Sequence, residues 1–468
     1  MKLNYKKTIL VGFAFFLISA FWQAYDAIVP LILTNHFGLK QSISGFVMSL
    51  DNILAVFMLP IFGGISDKVC SKYGKRTPFI FIGSIAAVIA FIALTFIDNA
   101  QLAKVIAAGV PAVEQGALSD EKYAELIREL TMEVTLANPM GIVGFIATLL
   151  VVLIAMATFR SPAVALMPDV TVKPLRSKGN AIINLMGTAG GIIVLVLGMI
   201  FGTSKNQFMQ YSWYIVAVCC VMLLGLVIFI LTVKENKWAK EMEEETKALN
   251  LEETVDENEP TEKRKLSKPE FKSLMLILAS VALWYIGYNA ITSKYSVYAT
   301  NILGFDYNFT LILAQAAAVV AYIPVGIIAS KFGRKKTILA GVAMLSLAFV
   351  CGIFLPYFDN VIITYPIFAL AGIGWATINV NSFPMVVELA KGGDVGKYTG
   401  FYYTASMSAQ IVTPFLSGLL IDNIGWGTFF PYAAIFVALA FVTMFFVKHG
   451  DSKPIAKKSV LENFDIDD

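Results

Sequence analysis

The chain has 468 residues and a formal net charge of +3, with 57% hydrophobic and only 15% charged residues and a mean hydropathy of +0.71. Soluble domains carry about 25% charged residues, so a water-soluble fold is excluded. Lys and Arg are segregated by loop and form no continuous patch, which excludes nucleic acid as a partner and leaves the lipid bilayer as the solvent.

In chain order, apolar runs near ~20 residues, enough to cross ~30 Å of hydrocarbon, predict helices over 8–33, 43–65, 77–97, 139–160, 180–202 and 211–233. A second set follows over 272–299, 309–330, 337–356, 362–382, 400–421 and 426–447. The fold class is therefore an all-α membrane protein. Lys2, Lys6 and Lys7 before the first run look like a signal peptide's start, but no small-residue cleavage site follows, so the run is read as a retained helix. Residues 1–233 and 272–447 are two six-helix halves. A charged linker, 234–271, joins them as a tether with some helix, and 448–468 is a tail. The outer insert 98–138 contains "SDEKYAELIREL", with Ser119 or Asp120 as N-cap and Tyr123, Leu126, Ile127 and Leu130 at helical spacing, predicting a short amphipathic surface helix.

Positive charge fixes the expected orientation. Lys68, Lys72, Lys75 and Arg76, then Lys173, Arg176 and Lys178, then Lys331, Arg334, Lys335 and Lys336 occupy alternate loops, which the positive-inside rule assigns to the cytoplasm. An even number of spans puts both termini there too, in a multi-pass protein of the cell, or inner, membrane. Cys70, Cys219, Cys220 and Cys351 lack paired spacing and read as free thiols. The two histidines, His36 near an outer loop and His449 near the C-terminus, suggest neither a metal cluster nor a buried proton relay, so carboxylates must carry any proton. No cofactor and no metal are expected.

The halves repeat. "GGISDKVCSKYGKRT" joins the second and third spans, and "GIIASKFGRKKT" joins the eighth and ninth. "RSPAVALMPDVTVKPLRSKGN" after the fourth span has a weaker counterpart in "NSFPMVVELAKGGDVGKYTG" after the tenth. Gly63-Gly64 with Asp67, Gly74, Lys75 and Arg76 resembles the signature loop of the major facilitator superfamily, whose two six-helix halves are related by a pseudo-twofold axis around a midplane substrate site. Gly63, Asp67, Lys75 and Arg76 of this loop, with Asp169, Arg176, Arg334 and Lys335, are candidate gating residues; the alternative is a basic cluster that only sets topology.

"DNILAVFMLPIFGGISDKVCSKYGKRTPFIFIG" with "SPAVALMPDV" resembles the sucrose-transporter-like branch, which adjoins the glycoside–pentoside–hexuronide:cation symporters. The resemblance implies uptake of a glycoside, most simply a disaccharide, driven by a proton or sodium gradient, by a protein that works as a monomer. Relatives' site residues do not carry over. Their second-helix cation motif is replaced by Ala55 to Leu59 before Pro60, their fourth-helix sugar aspartate by Arg160, and the proton-carrying aspartate of sucrose symporters by Leu153. Asp169 matches the branch's acidic residue after the fourth helix. Arg160 can donate to hydroxyls, although a guanidinium favours an anionic ligand.

Charges at membrane depth cost about 2.5–3.5 kcal/mol on insertion scales and need a cavity or a partner. Asp26, Asp51 and Lys294 stand out as cation-coupling candidates. In one reading either acid binds the proton and Lys294 pairs with the deprotonated form; in others the pair is static, or Lys294 snorkels to the interface. A sugar needs aromatic faces beside hydrogen-bonding groups, for which Trp22, Gln23, Tyr25, Asn184, Tyr285, Tyr288, Asn289, Asn379, Asn381 and Gln410 are candidates. Pro30, Pro60, Pro324, Pro384 and Pro414 read as helix kinks. An exporter of drugs or metabolites is the alternative within transport, and a membrane sensor is the alternative outside it. No nucleophile–base set, phosphate loop or metal set supports an enzyme.

Overall fold

A computed structural model describes residues 3–172, 175–248, 266–358, 360–387, 389 and 395–449. Lys2, Lys173, the linker stretch 249–265 and the tail 450–468 lie outside the described residues. Helices α1 Tyr5–Leu31, α2 Gln41–Lys68, α3 Thr77–Ala107, α4 Asp120–Ala137, α5 Met140–Asp169, α6 Arg176–Phe201, α7 Ser212–Thr232 and α8 Glu235–Ala248 occupy the first half of the chain. They are followed by α9 Lys268–Thr292, the single turn α10 Tyr295–Tyr298, α11 Tyr307–Phe332, α12 Arg334–Gly352, α13 Thr364–Val387, α14 Val395–Ile424 and α15 Phe429–Phe445. Twelve of these segments are long and apolar enough to cross a membrane. Large apolar side chains such as Phe57, Phe96, Leu224 and Leu231 are exposed on their surfaces, as lipid contact requires.

Packing divides the chain differently from the two sequence halves. One compact unit holds residues 1–243 with 292–312 and 414–428; the other holds 244–291, 313–413 and 429–468. In the first unit α1 runs into a π-helical turn, Ile32–His36, and the segment after α10 does the same over Ala299–Leu303. The seventh apolar run, expected as one helix over 272–299, is in fact broken: α9 stops at Thr292 and Lys294 precedes α10 with φ −134°. The four cysteines are free, as their spacing suggested.

At the basic end of the first unit, Glu235 at the start of α8 is 2% exposed. Its carboxylate accepts hydrogen bonds from the Lys75, Arg76 and Thr77 amides at 2.7–2.9 Å and from Thr77 Oγ1 at 2.7 Å. An acid at the N-terminus of α3 satisfies amides that have no intrahelical partner and complements the helix dipole. Further along α8, Lys7 bonds Glu241 and lies 5.7 Å from the Trp238 ring, tying α8 to α1. The hydrogen bond from Lys7 holds the Glu241 carboxyl below its ordinary range. The start of the linker is thus a structural brace. Replacing Glu235 by Ala strands buried amides, and a loss of about 2 kcal/mol is expected, read as a lower unfolding temperature in detergent.

In the second unit α12 and α13 meet through two glycines: a Cβ on Gly341 would sit 2.9 Å from Gly374 O, and one on Gly374 2.9 Å from Gly341 O. Small residues are what let membrane helices approach so closely where no water drives them together. Lys335 Nζ donates to the carbonyls of Phe445 and Val447 at 2.8 and 2.6 Å, closing the end of α15. The five prolines expected as kinks all lie inside helices.

Candidate functional site

Trp22, Tyr25 and Asp26 share one face of α1 at spacings of three and four residues. Asp26 stands ten residues before the end of the His36 turn and Asp51 ten residues into α2, each about 15 Å from the end of its span. Asp26 is nevertheless exposed and bonds no described residue, so its carboxylate faces open space at that depth. Asp51 is partly buried and accepts from the Asn52 amide and side chain at 2.5 and 2.8 Å. Both acids lie in each other's field and in that of Arg160 on α5, whose guanidinium sits 5.7 Å from the Trp22 ring centroid.

Aromatic packing holds this face rigid. Phe21 and Tyr25 stack at 5.9 Å, and Trp22 meets Tyr25 edge-on at 5.3 Å. Trp22 Nε1 and Tyr25 Oη are buried without a hydrogen-bond partner. Each unpaired buried donor is expensive unless something polar arrives to accept from it. Two acids, one guanidinium and two unsatisfied donors therefore converge from α1, α2 and α5. Gln23 and Asn184 are partly buried on α1 and α6.

The second unit, taken by itself, has a polar and aromatic face. Tyr288 stacks on Trp375 at 3.7 Å with planes 6° apart, and Tyr285 meets Trp375 edge-on at 5.2 Å. Asn289 Nδ2 donates to the Tyr285 carbonyl at 2.8 Å, whereas Asn379 and Gln410 are partly exposed on α13 and α14. Sequence reading passed over Trp375, which lies in the apolar run "AGIGWATINV" and is marked only by its ring size.

Lys294 corrects an expectation. Its side chain is 1% exposed, its Nζ donates to Gln41 O at 2.8 Å, and the acid in its field is Asp422, not Asp26 or Asp51. The break after Thr292 turns it toward α2's first residue, so it neither pairs with the mid-span acids nor snorkels to the interface. His36 corrects another. It is fully buried and its Nδ1 lies 2.6 Å from Asp98 Oδ1, with the Tyr211 ring stacked at 5.5 Å, because the π-turn rotates the end of α1 inward. A buried His–carboxylate pair is present after all.

The signature loop forms a network within the first unit. Arg76 bonds Asp169 Oδ2 through Nε at 2.8 Å, and also Asp67 and Ser66 Oγ; Lys75 Nζ is 3.4 Å from the same Asp169 oxygen. Burial works against the Arg76 charge, but hydrogen bonds to Asp169 and Asp67 outweigh it and hold the group protonated above its ordinary range. Gly63 passes close to Ser161, and its carbonyl accepts from Arg76 Nη1 at 3.5 Å. Arg176 donates to the carbonyls of Thr171 and Pro168 at 3.2 and 3.1 Å, and Arg334 opens α12.

Residues 130–407, more than half the chain, match the family description Major Facilitator Superfamily, as do 317–463. The chain belongs to the major facilitator superfamily. With twelve helices long and apolar enough to span a bilayer, it is accordingly a multi-pass membrane protein. Residues 10–113 match the description MFS/sugar transport protein. The sucrose transport protein SUC3 of Arabidopsis thaliana is 28% identical over 193 residues, 41% of this chain and 28% of that relative. The chain thus matches little more than a quarter of that relative's length. Among solved structures, the inward open xylose transporter XylE from E. coli aligns with TM-score 0.64 at 12% identity, over 98% of this chain and 99% of that one. A mutant form of the nucleoside transporter NupG aligns with TM-score 0.56 at 13% identity, over 94% and 98%. At these identities the structures share the superfamily fold and nothing finer.

Proposed function

We propose that this superfamily member is a cation-coupled importer, driven by protons, that takes up a glycoside or a di- or oligosaccharide by alternating access. The observation that carries the reading is the exposed mid-span carboxylate of Asp26, beside Asp51, Arg160 and the unsatisfied Trp22 and Tyr25 donors. Asp26, which bonds no described residue, is the proton carrier; Asp51, held by Asn52, is its fixed acidic neighbour. The guanidinium of Arg160 lies among two carboxylates, so its charge is already balanced and a neutral polyol suits the site better than an anion. The sugar-transport description of the N-terminal residues and the name of the sucrose transport relative support the substrate class. In this reading the basic loops and both termini lie on the cytoplasmic side, as the positive-inside rule supports, and the protein acts as a monomer.

Sugar faces pack on aromatic rings, and the Tyr288–Trp375 stack with Tyr285 at its edge offers such a platform. Trp375→Ala is expected to raise the sugar concentration for half-maximal uptake by about tenfold, measured as initial rates in proteoliposomes. The reading as a whole is tested by adding a sugar panel to proteoliposomes loaded with a pH-sensitive dye. Sugar-elicited proton entry supports it. Silence toward every sugar, with proton movement driven by a drug gradient, would establish the exporter instead.

A further inference from the structure

The transport site makes no use of α4, and neither does the network at the basic end. This helix is anchored to the first unit along its length. Ile127 packs with Val105 and Val110, and Gln101 Nε2 donates to Thr135 Oγ1 at 2.8 Å and to His36 O at 3.0 Å. At Gly38, where φ is +66°, a Cβ would collide with the Met132 amide, so the backbone of α4 lies directly against the turn after α1. The first turn of α4 reaches elsewhere. Glu121 Oε1 accepts a hydrogen bond from the Trp426 amide at 2.5 Å, in the turn between α14 and α15. Gly425 has φ +113°, and a Cβ there would strike the same Glu121 carboxylate.

The segments that α4 reaches are those whose movement would open this end. Asp422 caps α2, accepting from the Gln41 and Ser42 amides at 2.7 and 2.8 Å. Lys294 holds the Gln41 carbonyl, and Asn35 and Asn301 exchange amide hydrogen bonds at 2.6 and 3.3 Å. A cavity of about 380 Å³, lined by Lys40, Glu121, Arg128, Asn301, Asp422 and Trp426, lies beside these contacts.

We propose that α4 is a strap that holds the end opposite the basic loops closed, with the Glu121 carboxylate as its catch on the Gly425–Trp426 turn. The proposal rests on alternating access but on neither the substrate nor the coupling ion. Each cycle must release this catch, so its strength sets how long that end stays shut. A hydrogen bond to a charged acceptor is the kind whose loss changes an equilibrium about tenfold. Glu121 itself is exposed, so its replacement is expected to leave the fold intact.

The test uses the full chain with its four native cysteines replaced and one reporter, Thr300→Cys, a buried position in the π-turn among these contacts. Glu121→Ala should raise the rate of maleimide labelling at the reporter by about tenfold, and Glu121→Gln, which keeps an acceptor oxygen, by less. Glu125→Ala, one turn along α4, should leave the rate unchanged. Equal labelling of Glu121→Ala and the parent, both monodisperse and with the same unfolding temperature, would overturn the proposal, as would an equal rise in Glu125→Ala. Because labelling needs neither sugar nor gradient, a failed strap is distinguishable from a failed transport assignment.

Discussion

Asp26→Asn is expected to collapse gradient-driven accumulation to simple equilibration while leaving sugar exchange across the membrane intact. One coupled charge across 100 mV is worth about 2.3 kcal/mol, or roughly fifty-fold accumulation per proton. An uncoupled carrier reaches an accumulation ratio near unity whatever the gradient. The split between accumulation and exchange is the informative measurement, because a merely misfolded variant loses both. Asparagine keeps the size of Asp26 and removes only the ionisable group, and Asp26 bonds no described residue whose loss would confuse the result. Asp51→Asn is expected to reduce accumulation less, since that carboxylate is already engaged by Asn52. Full accumulation in both variants would exclude these acids from coupling and return the search to buried groups such as His36 and Asp98.

The second large effect concerns stability. Arg76→Ala removes a side chain that is 5% exposed and joins Asp67, Asp169 and Ser66. Asp67 is 59% exposed and finds water readily, whereas Asp169 is 21% exposed and, among the described residues, retains Lys75 at 3.4 Å. The cost therefore comes chiefly from Asp169 and the stranded acceptors. About 2–3 kcal/mol is expected, read as earlier unfolding on a thermal ramp in detergent, with Arg76→Lys recovering part of it. The planar guanidinium reaches several acceptors at once and an ammonium does not, so recovery is incomplete. An unchanged unfolding temperature in Arg76→Ala would mean that the network sets topology alone.

Membrane depth, span number and the repeated basic loop were legible in the sequence because each follows from local composition over about twenty residues. So was α4: its N-cap and apolar spacing are properties of neighbouring residues, and the helix runs over Asp120–Ala137. The mid-span acids were legible for the same reason, since an ionisable group inside an apolar run is conspicuous without knowing its surroundings.

Partnership was not legible. The approach of Arg160 to Trp22, the stacking of Tyr288 on Trp375 and the pairing of His36 with Asp98 join residues far apart in the chain. The fate of Lys294 turned on a helix break at Thr292 and on π-turns that no hydrophobic period announces. The amino-acid sequence by itself determined that this chain lives in lipid, spans it about twelve times and carries ionisable groups at membrane depth. Only the tertiary structure decided which charges meet. A side chain's direction at mid-span depends on helix rotation and on single-residue insertions in the helical turn, and these are settled by packing between helices rather than by propensity along one.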